Sequence, residues 1–159
     1  MNVREATEED IAGIRQVAEA AWRTDYAGRV DEDTIESGVN HWYSDPVVRM
    51  ELSNPGTDLR VAERDGDIVG FVHAHRSGQV GTILRLHVDP AHRDAGVEAA
   101  LFEAIAADFE ADREGIRATV LEANSHMQEF YEDRGFSRID TDGTTIGDTQ
   151  YEETILERV

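Results

Sequence analysis

The sequence predicts one α/β domain spanning residues 1–159: a mixed, mostly antiparallel sheet of six to seven strands with helices on both faces, in the order β-α-α-β-β-β-α-β-α-β-β. Three observations predict it. Apolar residues recur at helical spacing before residue 50, and the pattern then turns strand-like around an Asp65-Gly66 hairpin signal. In the second half strands alternate with helical segments, which demands crossover connections. A meander followed by crossovers gives a mixed sheet covered on both sides. No repeat, low-complexity segment or linker divides the chain, and its length suits one core.

Val3 to Ala6 reads as a short strand. A helix follows from Thr7, with Glu8, Glu9 and Asp10 suited to its positive end. Ile11, Ile14, Val17, Ala18, Ala21 and Trp22 form its apolar face, and Ala27-Gly28 breaks it. A second helix, Glu32 to Tyr43, puts Ile35, Val39, Trp42 and Tyr43 on one side; Asp45-Pro46 interrupts it, with one more turn through Met50. Ser53-Asn54-Pro55-Gly56 is a turn. Leu59 to Glu63 and Ile68 to His75 flank the Arg64-Asp65-Gly66-Asp67 hairpin, and Thr82 to Val88 is a third strand. The helix after Gly96 carries Val97, Ala100, Leu101, Ala104, Ile105 and Phe109 in register with one polar member, Asp108, and Gly115 is its expected cap. Ile116 to Leu121 is apolar enough for a central strand. Asn124-Ser125 caps a short helix with Met127, Phe130 and Tyr131 on one face, ended by Gly135. Two strands, Phe136 to Asp140 and Thr149 to Glu157, surround a Gly- and Thr-rich loop at 142–148.

Composition narrows the function. There is no cysteine, hence no disulfide, thiolate metal site or thiol nucleophile. The charged start MNVREATEED is unlike a signal peptide, and no run approaches the roughly 18 apolar residues of a membrane span, so a soluble, cytoplasmic protein is expected. Acidic residues number 34 against 15 basic ones, a net charge of -19, and every basic residue is arginine. Such a chain does not seek nucleic acid or anionic membranes. Lysine-free acidity of this degree is the composition of a protein from a salt-accumulating halophile, because at molar salt a Debye length of about 3 Å screens repulsion between surface carboxylates.

The stretch Leu86 to Leu101, LHVDPAHRDAGVEAAL, carries the chemistry. A strand ends at Val88, Asp89-Pro90 stops the ladder, and a helix opens near Gly96. First-turn N–H groups lack intrahelical partners and carry the positive end of the macrodipole, which makes the turn a candidate phosphate or pyrophosphate site.

Two motifs give this stretch a family. Val88-Asp89-Pro90-Ala91-His92-Arg93-Asp94-Ala95-Gly96-Val97-Glu98 resembles the V-x-P-x-x-R/Q-x-x-G-x-G/A pattern of the GNAT superfamily of acetyl-CoA-dependent N-acyltransferases, in all but its last position. Asn124 to Phe136, NSHMQEFYEDRGF, is similar to the same family's N-x-x-A-x-x-F-Y-E-x-x-G-F. The resemblance implies acetyl-CoA as co-substrate and a small-molecule or peptide amine as acceptor, with homodimers frequent; without a carboxylate pattern near the histidines, no metal is expected. It implies that the backbone of Leu86, His87 and Val88 holds the pantetheine arm and acetyl carbonyl. The N–H groups of Arg93, Asp94, Ala95, Gly96, Val97, Glu98 and Ala99 would cradle the pyrophosphate. Asn124 would contact the cofactor, and Tyr131 would protonate the departing thiolate, a phenol of pKa near 10 suiting a thiol leaving group. The segment Trp22 to Tyr26, WRTDY, resembles a subgroup whose first helices cover the acceptor side, which places Trp22 and Tyr26 as acceptor contacts. His73 and His75, two apart on one strand face with His87 on the neighbouring strand, are read as lying on a solvated or acceptor-facing sheet surface, which adds His73 to the acceptor contacts; a three-histidine zinc site is the alternative. The resemblance implies that the amine attacks the thioester directly, without a covalent enzyme intermediate. Thr82 stands where some members keep a basic glutamate, and His87, beside the acetyl site, is the expected base. Glu98 and Asp94 depart from the pattern by putting carboxylates beside a pyrophosphate, and a binding module without transferase activity is the second reading.

Overall fold

The computed structural model describes residues 1–26, 28–111, 115–146 and 149–158, the side chains of Asp94 and Ala111 excepted. Among these residues one sheet has seven strands in the order β1-β2-β3-β4-β5-β7-β6. The strands are β1 (Asn2–Glu5), β2 (Thr57–Arg64), β3 (Asp67–Ser77), β4 (Val80–Val88), β5 (Gly115–Leu121), β6 (Ser137–Ile146) and β7 (Thr149–Arg158). Every pair is antiparallel except β4 with β5. The hairpin between β2 and β3 turns through Asp65 at φ 53° and Gly66 at φ 86°, the double positive-φ geometry that an Asp-Gly pair accepts.

Among the described residues five α-helices cover the sheet: α1 (Ile11–Asp25), α2 (Glu32–Tyr43), α3 (Asp45–Ser53), α4 (Val97–Ala111) and α5 (Ser125–Glu132). α2 has the expected bounds because Asp31 caps it, accepting the Thr34 N–H at 2.7 Å. Three expectations are corrected. Asp45-Pro46 opens a separate nine-residue helix instead of interrupting α2, since proline is preorganised for a first turn where its missing N–H is no loss. Gly115 begins β5 and does not cap α4. Most of the expected loop at 142–148 is strand: β6 continues to Ile146, paired residue by residue with β7, and residues 147 and 148 lie outside the described set, as does Ala27 of the expected Ala27-Gly28 break. A short 3₁₀ turn, Pro90–Ala95, precedes α4.

The two faces bury separate cores. On one, Val61 and Phe71 meet Ile14, Val17 and Ala18 of α1 and Tyr43 of α2. On the other, Val72, Ala74, Ile83, Leu86 and Val88 meet Val97, Leu101, Ile105 and Phe109 of α4. Phe130 belongs to this second core. The polar exception on the α4 face, Asp108, is bonded by the Arg60 guanidinium from β2.

The feature that positions a site is a break in the sheet. The register of β3 against β4 slips so that His73 faces Arg85 while Ala74 faces Ile83, which leaves Leu84 unopposed as a bulge. The β4–β5 ladder runs from Val80↔Gly115 to Ile83↔Ala118 and stops there. Beyond the bulge the two strands part.

Candidate active site

Where β4 and β5 diverge, Leu84 to His87 line one side of a cleft, and Thr119 to Leu121, Asn124, Met127 and Tyr131 line the other. The free space is about 20 Å3, room for one water, so a ligand here lies along the strand edge instead of filling a chamber. Beyond Ile83 no strand among the described residues pairs with this edge of β4. The Leu84 carbonyl is instead met by Thr119 Oγ1 at 3.3 Å.

At the end of β4 the anticipated turn is present. The Asp89 carboxylate accepts the Ala91 N–H at 2.9 Å, the 3₁₀ turn follows, and Gly96 adopts φ 76°, a left-handed conformation that explains glycine there. The Gly96 carbonyl accepts the Ala100 N–H, so α4 starts with the N–H groups of Val97, Glu98 and Ala99 free of intrahelical partners. Arg93 turns its guanidinium to Asp25, with Nη1 and Nη2 at 2.7 and 2.9 Å from the two carboxylate oxygens. Glu98, 8% exposed, turns to α5: both its oxygens lie within 3.1 Å of His126 Nε2. One of the two unexpected carboxylates thus has its own partner, and the side chain of Asp94 lies outside the described residues.

Across the cleft Asn124 caps α5, its Oδ1 accepting the Met127 N–H at 3.1 Å, and its Nδ2 donates to the Tyr26 hydroxyl at 3.3 Å. Tyr131 is buried against Phe102, Phe130 and Phe136. Burial, and then the Glu98 carboxylate, push its phenol above the ordinary value near 10, so it is protonated at neutral pH. Trp22 and Tyr26, expected at the acceptor side, are core residues that line this cleft.

His87 also lines the cleft, with its ring packed against Tyr43 and Phe71 and its Nε2 without a partner. Burial, followed by the charges of Arg85 and Arg93, pushes its pKa down to about 3. The unfolded chain, with a histidine near 6.5, takes up a proton that the folded state refuses, so stability falls as pH drops from about 6.5 towards 3. Between pH 7 and pH 5 the expected loss from this residue is about 2 kcal/mol. Urea unfolding of His87→Leu at the two pH values should show a drop smaller than wild type by that amount, and equal drops would remove His87 as the cause.

A second cavity of about 270 Å3 lies on the α2–α3 side and shares Leu84, Arg85 and Thr119 with the cleft. Its wall holds Trp42, Tyr43, Glu51, His73 and Glu153. Arg85 stacks over Trp42 at 4.4 Å and donates to Glu153 at 3.2 Å, reaching Thr119 Oγ1 at 3.5 Å as well. His73 Nε2 sits 3.5 Å from Glu51 Oε2, which accepts the Thr57 hydroxyl at 3.0 Å. Burial first, then Arg85 and His75, hold the His73 pKa below 6.5 against the opposing Glu51. Among the described residues, the buried side-chain polar atoms without a hydrogen bond are Trp22 Nε1, Tyr43 Oη, His73 Nε2 and His87 Nε2. All four residues line one of these two cavities. Unpaired buried polar atoms cost about 1–3 kcal/mol each, a strain a ligand or water relieves.

The structure brings Leu86, His87, Asn124 and Tyr131 together at the cleft, with Val88 ending β4 and Arg93 to Ala99 forming the turn beyond it; His73 is apart, in the second cavity. Sequence reasoning missed Arg85, Thr119, Glu51 and Glu153. Arg85 left a trace, as the charged residue inside the apolar run Ile83 to Val88. No group of three His, Asp or Glu side chains among the described residues has metal-binding geometry. Nor is any described helix long and apolar enough to cross a membrane.

A mixed sheet that opens at a bulge, with a glycine turn and a helix N-terminus at the end of β4 and a buried tyrosine facing the opening, defines an acyl-transfer fold of the kind the motifs implied. The chain belongs to the GNAT acetyltransferase family, whose domain it matches over residues 29–147. It is 28% identical over 160 residues to a spermidine N(1)-acetyltransferase of Thermoplasma acidophilum, covering 96% of this chain and 98% of that one. The crystal structure of the PaiA N-acetyltransferase of Thermoplasma acidophilum in complex with coenzyme A superposes with a TM-score of 0.88 at 25% identity, over 99% of this chain and 97% of that chain. A GCN5-related N-acetyltransferase of Rhodopseudomonas palustris shares the fold, with a TM-score of 0.83 at 21% identity over 99% and 94% of the two chains.

Proposed function

We propose that this protein moves the acetyl group of acetyl-CoA directly to a primary amine of a small cationic acceptor of the polyamine kind. The observation that carries the reading is the meeting of two cavities at Leu84, Arg85 and Thr119, one beside the pyrophosphate turn and one lined by carboxylates. A thioester lying along the β4 edge and an amine entering from the second cavity would meet at the bulge. The Glu51 carboxylate suits a cationic, partly aliphatic chain, while Glu153 and one face of the Trp42 ring are held by Arg85. The relative that acts on spermidine supports the same class.

The free amine must lose a proton. Sequence reasoning gave that task to His87, whose nitrogen, at a pKa of about 3, is too weak a base for it. His73 is the better candidate, because it is neutral at pH 7, lines the acceptor cavity and has Glu51 beside it to stabilise the imidazolium. Tyr131 delivers a proton to the departing thiolate. With no cysteine in the chain, no thiol intermediate intervenes. In keeping with the acidic, lysine-free surface, the protein is proposed to work at high salt.

Calorimetric titration with acetyl-CoA in multi-molar KCl, followed by turnover with spermidine, an aminoglycoside and a peptide N-terminus, tests this. Saturable binding with spermidine as the best acceptor is expected. Absence of acetyl-CoA binding would overturn the transferase reading, and binding without turnover of any amine would make the chain a non-catalytic module.

A further inference from the structure

The cleft needs a fixed width, and the sheet does not supply it. Past Ile83 and Ala118 no ladder joins β4 to β5, so their tips are set by other contacts. Two successive residues at the end of α1 reach one tip each. Asp25, the last residue of α1, takes both Nη groups of Arg93 in the turn after β4, at 2.7 and 2.9 Å. Tyr26 takes the amide of Asn124, the α5 cap just beyond β5, at 3.3 Å. The Asp25 side chain is only 7% exposed, while Tyr26 and Asn124 are 2% and 3% exposed. Arg29 adds a third tie to the Ala123 carbonyl, next to Asn124.

We infer that Asp25 and Tyr26 are positioning residues, a crosspiece that holds the pyrophosphate turn and the α5 cap at the separation the acetyl donor requires. Arg93 is then the anchor of the turn and not a phosphate ligand. A planar guanidinium held at both ends by a nearly buried carboxylate is a strong, oriented pair, and leaving it would strand the Asp25 charge. The pyrophosphate is left to backbone N–H groups whose position depends on that anchor. The inference rests on the functional reading above, since it assigns the cofactor's own side of the site.

The alternative, that Arg93 swings from Asp25 to the phosphates, predicts the opposite sign for one variant. With the crosspiece, Asp25→Asn weakens CoA binding about tenfold, Arg93→Gln does the same, and the double variant is no worse than either, because both break one contact. The loss falls on KM for acetyl-CoA and spares acetyl-pantetheine, which lacks the pyrophosphate. The charge swap Asp25→Arg with Arg93→Asp restores most of the affinity. If Arg93 is a ligand, Asp25→Asn frees it and tightens CoA binding, and the swap, with an aspartate facing phosphate, fails. Unchanged or tighter binding by Asp25→Asn, or a failed swap in a folded variant, overturns the inference. Absence of CoA binding by the wild type would sink the functional reading instead. Amide exchange over residues 93–99, faster in Asp25→Asn if the crosspiece exists and unchanged if it does not, then still decides.

Discussion

Tyr131→Phe is expected to lower kcat about a hundredfold while changing the CoA dissociation constant less than about twofold, the signature of a group used only in the transition state. The packing supports a clean separation. The Tyr131 ring centroid lies 5.1 Å from Phe136, 5.5 Å from Phe130 and 6.2 Å from Phe102, edge-on or tilted in each case, and none of these contacts uses the hydroxyl. Phenylalanine keeps them all. What it loses is a proton held by burial and by the nearby Glu98 charge against release to solvent. The same raised pKa makes the phenol a reluctant donor, so proton delivery depends on thiolate charge developing beside it. Pre-steady-state acetyl transfer and calorimetry measure the two quantities separately. Equal losses in both would make the tyrosine structural.

His73→Ala is the second large effect, with an expected fall in kcat of about a hundredfold. Its pH signature is as diagnostic as its size. A base works only when unprotonated, so the wild-type rate should climb through the lowered His73 pKa, below 6.5, and level off above it. In His73→Ala that acidic limb disappears. His87→Leu, by contrast, leaves the limb where it was. A limb that survives His73→Ala, or vanishes in His87→Leu, reverses the assignment. Glu51→Gln, which removes the carboxylate stabilising the imidazolium, moves the limb to lower pH without abolishing it.

Much of this architecture is legible in the residues, and what is hidden is hidden for physical reasons. The Asp65-Gly66 turn and the Asn124 cap are local devices whose chemistry acts within a few residues, so they are readable from spacing. The Pro90-to-Gly96 turn is legible for the same reason. Pro46 deceived because proline both ends and begins helices, and only the chain after it decides. The second half of β6 read as loop because its outer residues, Ser137 to Thr145, are mostly exposed on an edge strand, with no buried face to impose alternation. The Leu84 bulge has no marker, since nothing in Thr82 to Val88 is a glycine or proline. Arg85's partners are likewise unreadable, because Trp42 and Glu153 become its neighbours only once that bulge has set which way the arginine faces. Glu98 looked like a defect beside a phosphate; its answer, His126, sits on another helix.

The parting of β4 from β5 also bears on how the molecule comes apart. The backbone ladder joins the meander of β1 to β4 to the trio β5, β7 and β6 only from Val80 to Ile83, with side-chain bonds of Arg85 and Thr119 beyond it, so the sheet is two blocks with a short seam. Within each block the strands are continuous antiparallel neighbours, whereas the seam is parallel and closes only after the chain has crossed over through α4. Sub-global opening therefore has a natural line to follow, along which backbone amides lose protection before those of β2, β3 or β7. A molecule seated in the seam touches both blocks at once and makes their separation cost its own dissociation. The donor of the acyl group would in this way also be a mortar between two half-sheets.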